Sequence, residues 1–357
     1  MKRCTKCVMP DTRPGIQFDE QGVCSACRNA EKKESVDWER RFDELRILTE
    51  PYRRIKGHNC LIAVSGGKDS HYQTHIMKER LQLNPLLVSV EDMFMMTEAG
   101  KHNIRNISER YKCNIISFKP SIETLKKSMR YCFERYGKPT FLIDRYIYTY
   151  PLWMAKFTGI PLLVYGENIA YEYSNAEETY SAKEQVNNGV ASGITKEELI
   201  HNAGIPEEEL VFFDPPKLDD IEPIYLSYFL RWNSYENYLY AKQNGFHDLT
   251  HEWDRTMNTD NHDQVDSKVY WLHPWMKYPK FGHTFGSDYC SRMIRYGRMT
   301  REQALENIKR EGNLDPHIVR EFCEFCGYKE WEFWRIIDRF YNLDIFDFKN
   351  GEWVLKD

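Results

Sequence analysis

The sequence predicts an α/β protein built on a parallel sheet, and three observations carry that prediction. Short apolar runs bounded by turn residues recur at Cys60 to Val64 (CLIAV), Leu86 to Val90 (LLVSV), Asn114 to Phe118 (NIISF) and Pro161 to Tyr165 (PLLVY). Helical patterns lie between them, and near-continuous apolar strands joined by helices describe a sheet covered on both faces. Directly behind the first run comes a glycine turn, Ser65-Gly66-Gly67-Lys68-Asp69-Ser70, where an open α/β sheet holds its ligand.

The elements follow in order. Cys4-x-x-Cys7 and Cys24-x-x-Cys27 form two knuckles separated by sixteen residues, with Pro10, Pro14, Gly15 and Gly22 between them favouring a looped ribbon. Each knuckle turns two sulfurs toward one point, so the four cysteines predict a closed structural zinc site, with an iron–sulfur cluster or redox pairs as alternatives. Trp38, Phe42, Leu45 and Leu48 predict a linking helix within the charged stretch 32–56. Ser121 to Tyr136 reads as a helix, with Leu125, Met129, Phe133 and Tyr136 on one face and Gly137 as its stop. From Tyr171 to Pro216 the chain turns polar and acidic, as an insertion or lid would, with one helix beginning at Thr195 and Glu198 as its capping partner. After a strand at Pro223 to Phe229 the chain is expected to be mainly helical, ending in Thr300 to Arg310, Pro316 to Cys326 and Lys329 to Asn342. This divides the chain into a knuckle (1–35), a linking helix (36–58), a nucleotide-binding α/β domain (59–230) and a mainly helical C-terminal region for substrate or partner (231–357).

Composition excludes some functions. The 357 residues carry a formal net charge of −5 without a Lys/Arg block, which weighs against a nucleic-acid substrate. No apolar run approaches the ~18 residues of a membrane span, and the start MKRCTKC lacks a signal-like apolar stretch, so a cytoplasmic protein is expected.

The glycine turn presents backbone N–H groups and a helix N-terminus to an anion, and phosphate is the natural guest. A Walker loop would need glycine at 62 and Ser or Thr at 69, where Ile62 and Asp69 stand; a nucleophile elbow would need glycine at Ala63. Gly66 and Gly67 would admit the phosphates, Ser65 and Ser70 would hold pyrophosphate, and Asp69 would meet Mg²⁺. Lys68, at the variable position of the loop, is counted among its ATP-binding residues with its particular role left open. His71 and His75 are expected on a partly exposed helix face and not as ligands, and Cys323 and Cys326 as packing residues on a helix.

The hexapeptide resembles the SGGxDS loop of the ATP pyrophosphatases, the PP-loop superfamily, whose fold is Rossmann-like and akin to the adenine nucleotide alpha hydrolases. With CTKCVMPDTRPGI, CSACR, VYGENIAYEYS, FLRWNSYENYLYAKQNGF and KFGHTFGSDYCSRMIRYGRMTREQAL, the chain resembles the bacterial N-acetyl sugar amidotransferases of O-antigen and pseudaminic or legionaminic acid biosynthesis over nearly its whole length. The resemblance implies conversion of a sugar acetamido group to an acetamidino group with ATP, Mg²⁺ and ammonia. The ammonia would come from a class I (HisH-like) glutaminase, with a HisF-like subunit as a further expected partner. Gly166, Glu167 and Asn168 follow the fourth strand, with Glu167 as a candidate proton acceptor or a mere cap; Ser89 and Val90 would flank adenine. Lys280 and Arg292 are candidates to reach the phosphates, against ordinary solvated charges. Thiolation of tRNA by a zinc-knuckle PP-loop enzyme is the competing enzyme reading, and a non-catalytic nucleotide-binding module is a third.

Overall fold

The computed structural model describes residues 1–92, 95–168, 178–183, 193–252 and 260–356. Of the polar insertion, 171–177 and 184–192 lie outside the described residues, as do 169–174 of the stretch VYGENIAYEYS.

Five strands form one parallel sheet in the order β3-β2-β1-β4-β5: β1 Cys60–Ala63, β2 Pro85–Val90, β3 Asn114–Phe118, β4 Leu162–Tyr165 and β5 Glu222–Tyr225. The α/β prediction holds. The last strand is shorter than expected, because residues 226–228 wind into a 3₁₀ turn. Strand order reverses beside β1, and the crevice between the carboxyl ends of β1 and β4 is the place where ligands of such sheets bind.

One face of the sheet (Ile62, Leu87, Val164, Ile224) packs on α2 Trp38–Arg53, α3 Lys68–His75 and α4 Glu98–Tyr111 through Leu45, Ile76 and Ile107. The other face (Leu61, Leu86, Val88, Leu163, Tyr225) packs on α6 Phe141–Thr158. Between β3 and α6 runs α5 Ile122–Tyr136; Ser121 caps it by accepting from Thr124 N, and Gly137 ends it at φ +56°. In the insertion, α7 Lys196–Ala203 has Thr195 as its cap, but the Glu198 carboxylate accepts from Tyr131 and Tyr136 hydroxyls instead of reaching back to the cap. The insertion also closes the open sheet edge, since Tyr180 and Ala182 bond to β5.

The C-terminal region comprises α8 Ser234–Gln243, α9 Val269–Trp275, α10 Lys277–Phe281, α11 Phe285–Arg295, α12 Arg301–Asn307, α13 Pro316–Cys326 and α14 Glu330–Asp338. It ends in an antiparallel hairpin that the helical expectation missed, β6 Phe346–Lys349 and β7 Glu352–Leu355. Its two-residue turn, Asn350-Gly351, has φ of 53° and 86°, the backbone of a turn that matches strand twist. Among the described residues no helix is long and apolar enough to cross a membrane.

The knuckle is not a detached module. It carries a helix of its own, α1 Ser25–Lys33, and packs on α11: Arg13 pairs with Asp288 at 2.9 Å, and Arg301 donates to the Cys4 and Cys7 carbonyls. Asp288 is buried and also binds Lys277 at 2.8 Å. Burial opposes its ionisation, but Lys277 and Arg13 outweigh burial and hold its carboxyl well below the usual range. Asp288→Ala should therefore cost about 3–5 kcal/mol by stranding two cations, read as a fall in Tm. Because the folded carboxyl is the stronger acid, the loss should be full above pH ~4 and shrink as pH falls below it.

Candidate functional site

The first turn of α3 is shaped by one glycine. Gly66 adopts φ +87°, and a Cβ there would stand 2.8 Å from the Ile104 backbone nitrogen, so both conformation and space demand glycine. Gly67 is the helix N-cap. The turn is tied internally: Ser65 N donates to Ser70 Oγ at 3.0 Å, and Gly67 N donates to Ser65 Oγ at 3.3 Å. These bonds aim hydroxyls and backbone N–H groups at the helix N-terminus, as an anion site requires.

Beside the turn lies a cavity of about 240 Å³. Its polar end is formed by Ser65, Asp69, Ser70 and Gln73, its apolar end by Val88, Val90, Ile147, Tyr148 and Pro151, and Gly166 and Glu167 close one side. Tyr148 stacks on Tyr165 at 5.5 Å between centroids, and Tyr165 donates to the Tyr148 carbonyl near the break that Pro151 makes in α6. The structure thus gathers Ser65, Asp69, Ser70, Val90, Gly166 and Glu167 around one cavity.

Ser89 is not among its lining residues. Strand alternation sends Val88 and Val90 to the cavity and Ser89 to the opposite face. Lys280 is not brought to the loop: its Nζ donates to the Tyr136 and Gly137 carbonyls at the end of α5, with burial and then the charge of Lys138 pulling its ammonium down to about 8. His71 departs from expectation too. It is fully buried, with Nδ1 against the Gly67 carbonyl and Nε2 accepting from Asn106, so it braces the loop from behind. Cys323 and Cys326 are core residues of α13, as expected.

Four residues from the C-terminal region gather at the loop, Asn237, Asp263, Asp266 and Arg292, and sequence reasoning named only Arg292. Lys68 Nζ contacts Asp263 Oδ1 at 2.5 Å and Asp69 Oδ2 at 2.8 Å, and Arg292 Nη2 contacts Asp263 Oδ2 at 2.5 Å. Asn237 Nδ2 donates to Asp69 Oδ1 at 2.7 Å. The Asp263 carboxyl is held well down: burial works against its charge, and Lys68 and Arg292 prevail. Asp266 was missed as well. It bonds the Ser65 side chain, and burial, with repulsion from Asp92 and Asp69, pushes its carboxyl up to about 6. Only the general acidity of the stretch 260–266 (Asp260, Asp263, Asp266) could have signalled these residues.

The four knuckle cysteines are buried, with ligand atoms all within 4.8 Å of one another. Cys4 and Cys27 sulfurs are 4.0 Å apart and those of Cys7 and Cys24 3.7 Å, against the ~3.8 Å edge of a tetrahedral zinc–thiolate site. Backbone N–H groups of Cys7, Met9 and Cys24 point at the sulfurs, as they would at thiolates. The set could hold a metal ion such as zinc.

Residues 228–356 match the family model described as LPS biosynthesis protein WbpG-like, C-terminal domain. The matched segment is the one that supplies Asn237, Asp263 and Arg292. An uncharacterized protein of Methanocaldococcus jannaschii is 24% identical over 178 residues, 49% of this chain and 62% of that protein. The chain thus spans a little under two thirds of the curated relative it matches.

Gly66→Ala should leave the knuckle unaffected and destabilise the sheet domain, since a residue forced into this strained backbone costs about 1–3 kcal/mol. A thermal melt beside wild type checks it.

Proposed function

We propose that the protein is an ATP-dependent, AMP-forming amidotransferase that converts the acetamido group of a sugar to an acetamidino group during bacterial surface polysaccharide or nonulosonic acid biosynthesis. The observation that carries the reading is one cavity whose wall combines the glycine turn (Ser65, Asp69, Ser70) with apolar residues of β2 and α6 (Val88, Val90, Ile147, Pro151) and Glu167. The WbpG-like match supports the sugar and lipopolysaccharide context.

An amide carbon is a poor electrophile and its oxygen a poor leaving group. If the amide oxygen attacks the α-phosphorus of ATP, pyrophosphate leaves and an O-adenylyl imidate forms; ammonia then displaces AMP and leaves the amidine. No protein nucleophile is needed, so the residues position and neutralise. Ser65, Ser70 and the N–H groups of the turn hold the pyrophosphate portion. Lys68 and Arg292, already facing one carboxylate, lie beside the loop with charge to offer the phosphates. Glu167 stands where a proton from the amide or from ammonia could be taken. Asp69 and Asp266 fit a Mg²⁺ site beside the turn, and the ion would neutralise phosphate charge there. Zinc on the four cysteines would be structural, a closed site with no open position.

The other six cysteines, Cys60, Cys113, Cys132, Cys290, Cys323 and Cys326, are buried, and burial pushes every one of these thiols up. Groups of that kind are poor nucleophiles. This supports a separate class I, HisH-like glutaminase as ammonia donor, with a HisF-like subunit as a further partner, and it weighs against tRNA thiolation through a catalytic cysteine.

Incubation with ATP, Mg²⁺, ammonium and acetamido sugars should release AMP and pyrophosphate and replace one sugar oxygen by NH, read by mass spectrometry. Release of ADP, or thiolated tRNA in place of a modified sugar, would overturn the reading. Asp69→Asn should lower pyrophosphate release by about a hundredfold or more, with bound zinc unchanged; normal turnover in that variant removes Asp69 from the metal site. Stripping zinc with a chelator should lower Tm and abolish sugar-dependent turnover, because the knuckle packs against α11.

A further inference from the structure

A second cavity, of about 140 Å³, opens between the knuckle helix α1, the residues after β4, the stretch 227–233 and the end of α11. It meets the nucleotide cavity at Glu167, which lines both. Gly166, the neighbour of Glu167, is squeezed between the two: a Cβ there would collide with Gln73 Nε2 and stand 3.3 Å from Trp232 Cζ2. Gln73 lines the nucleotide cavity and Trp232 the second one. Each presents a polar atom that no neighbour among the described residues satisfies. Gln73 Oε1 and Trp232 Nε1 are buried without a hydrogen-bond partner, on residues only 5% and 7% exposed. An unsatisfied buried polar group costs about 1–3 kcal/mol, so this acceptor and this donor are explained by a ligand that supplies their partners.

We propose that the second cavity holds the body of the acetamido sugar and that Gln73 and Trp232 read the substrate at its junction with the nucleotide cavity; this rests on the amidotransferase reading above. The secondary amide of the sugar supplies the N–H that Gln73 Oε1 lacks, and a sugar oxygen accepts from Trp232 Nε1. The bond to Gln73 has a chemical consequence. Accepting from the amide N–H pushes electron density toward the carbonyl oxygen, the atom that must attack phosphorus. As the O–P bond forms and the bond to pyrophosphate breaks, the nitrogen keeps its proton on Gln73; when ammonia adds and AMP leaves, the surplus proton comes off the former ammonia, and Glu167 is the carboxylate at that junction to take it.

Calorimetric titration of the full-length protein, loaded with zinc and α,β-methylene ATP, tests this. The probes are an N-acetylhexosamine, its uronate and its nucleoside diphosphate form, each beside the corresponding free amine. The acetamido forms should bind about tenfold or more tighter than the amines, and Trp232→Phe, which keeps the ring and removes the donor, should lose about tenfold in sugar affinity with nucleotide affinity unchanged. Gln73→Leu should also weaken acetamido-sugar binding by about tenfold, read at saturating nucleotide because Gln73 lines that cavity too; if it does not fold, Trp232→Phe decides. Wild-type protein that binds amine and acetamide alike, or a Trp232→Phe variant that binds sugar as wild type does, overturns the assignment. The underlying reading fails separately. Discriminating sugar binding without AMP formation in the presence of ammonium and ATP leaves the pocket standing and removes the reaction.

Discussion

The site depends on one carboxylate that two cations share. Asp263 lies outside the parallel sheet, yet its two oxygens take Lys68 from the glycine turn and Arg292 from α11. Without it, two buried positive charges would face each other across the loop, a repulsion that a low-dielectric setting makes severe. With it, the glycine turn of the sheet and the helical region that carries the WbpG-like match are held as one unit. The same pairing orders Lys68 and Arg292 beside the turn, so that on the proposed function the cations would be in place before any phosphate arrives.

The knuckle acquires a role from the same geometry. About 30 residues cannot build a core, and four cysteines around one ion would replace it. Cys24 and Cys27 bracket the start of α1, and the exposed end of that helix supplies Lys33 and Glu34 to the second cavity. Arg13, bonded to Asp288, and Arg301, bonded to knuckle carbonyls, fix the angle at which α1 meets α11. On the proposed function, a metal far from the reacting atoms would still shape the wall against which the sugar rests.

How much of this could be read from the chain varies with the range of the forces involved. The strands, the turn, the helix from Ser121 to Gly137 and the helix Pro316–Cys326 were legible because caps, glycines and apolar runs act locally. The helix α6 carried no such signal: it is apolar on most sides and contains Pro151, so its pattern is not periodic. The terminal hairpin was legible in Asn350-Gly351 and was overlooked beside the stronger helical pattern upstream. Ser89 and Lys280 were misplaced for a different reason. A side chain's facing depends on strand register and on which distant carbonyls lie near, and neither is encoded in its neighbours. Asp263 and Asp266 act at long range, across more than 190 residues from the turn, and no local pattern announces them.

On the proposed function the turn would hold polyphosphate, and yet it is ringed with carboxylates. Asp266 bonds Ser65 within the turn itself, Asp69 is the second residue of α3, and Asp92 follows β2; the buried Asp92 and Asp266 carboxyls are each pushed up to about 6, first by burial. A bare triphosphate would add like charge to that set and raise its cost further. A divalent cation carried in with the nucleotide reverses the sign of the problem, because the same carboxylates then become its ligands or its counter-charge. On the proposed function, the acidic residues would be counter-charge to such a cation, and Lys68 and Arg292, which share Asp263, would offer charge to the phosphates. Asp69 belongs to both sets, since it accepts from Lys68 through one oxygen and from Asn237 through the other.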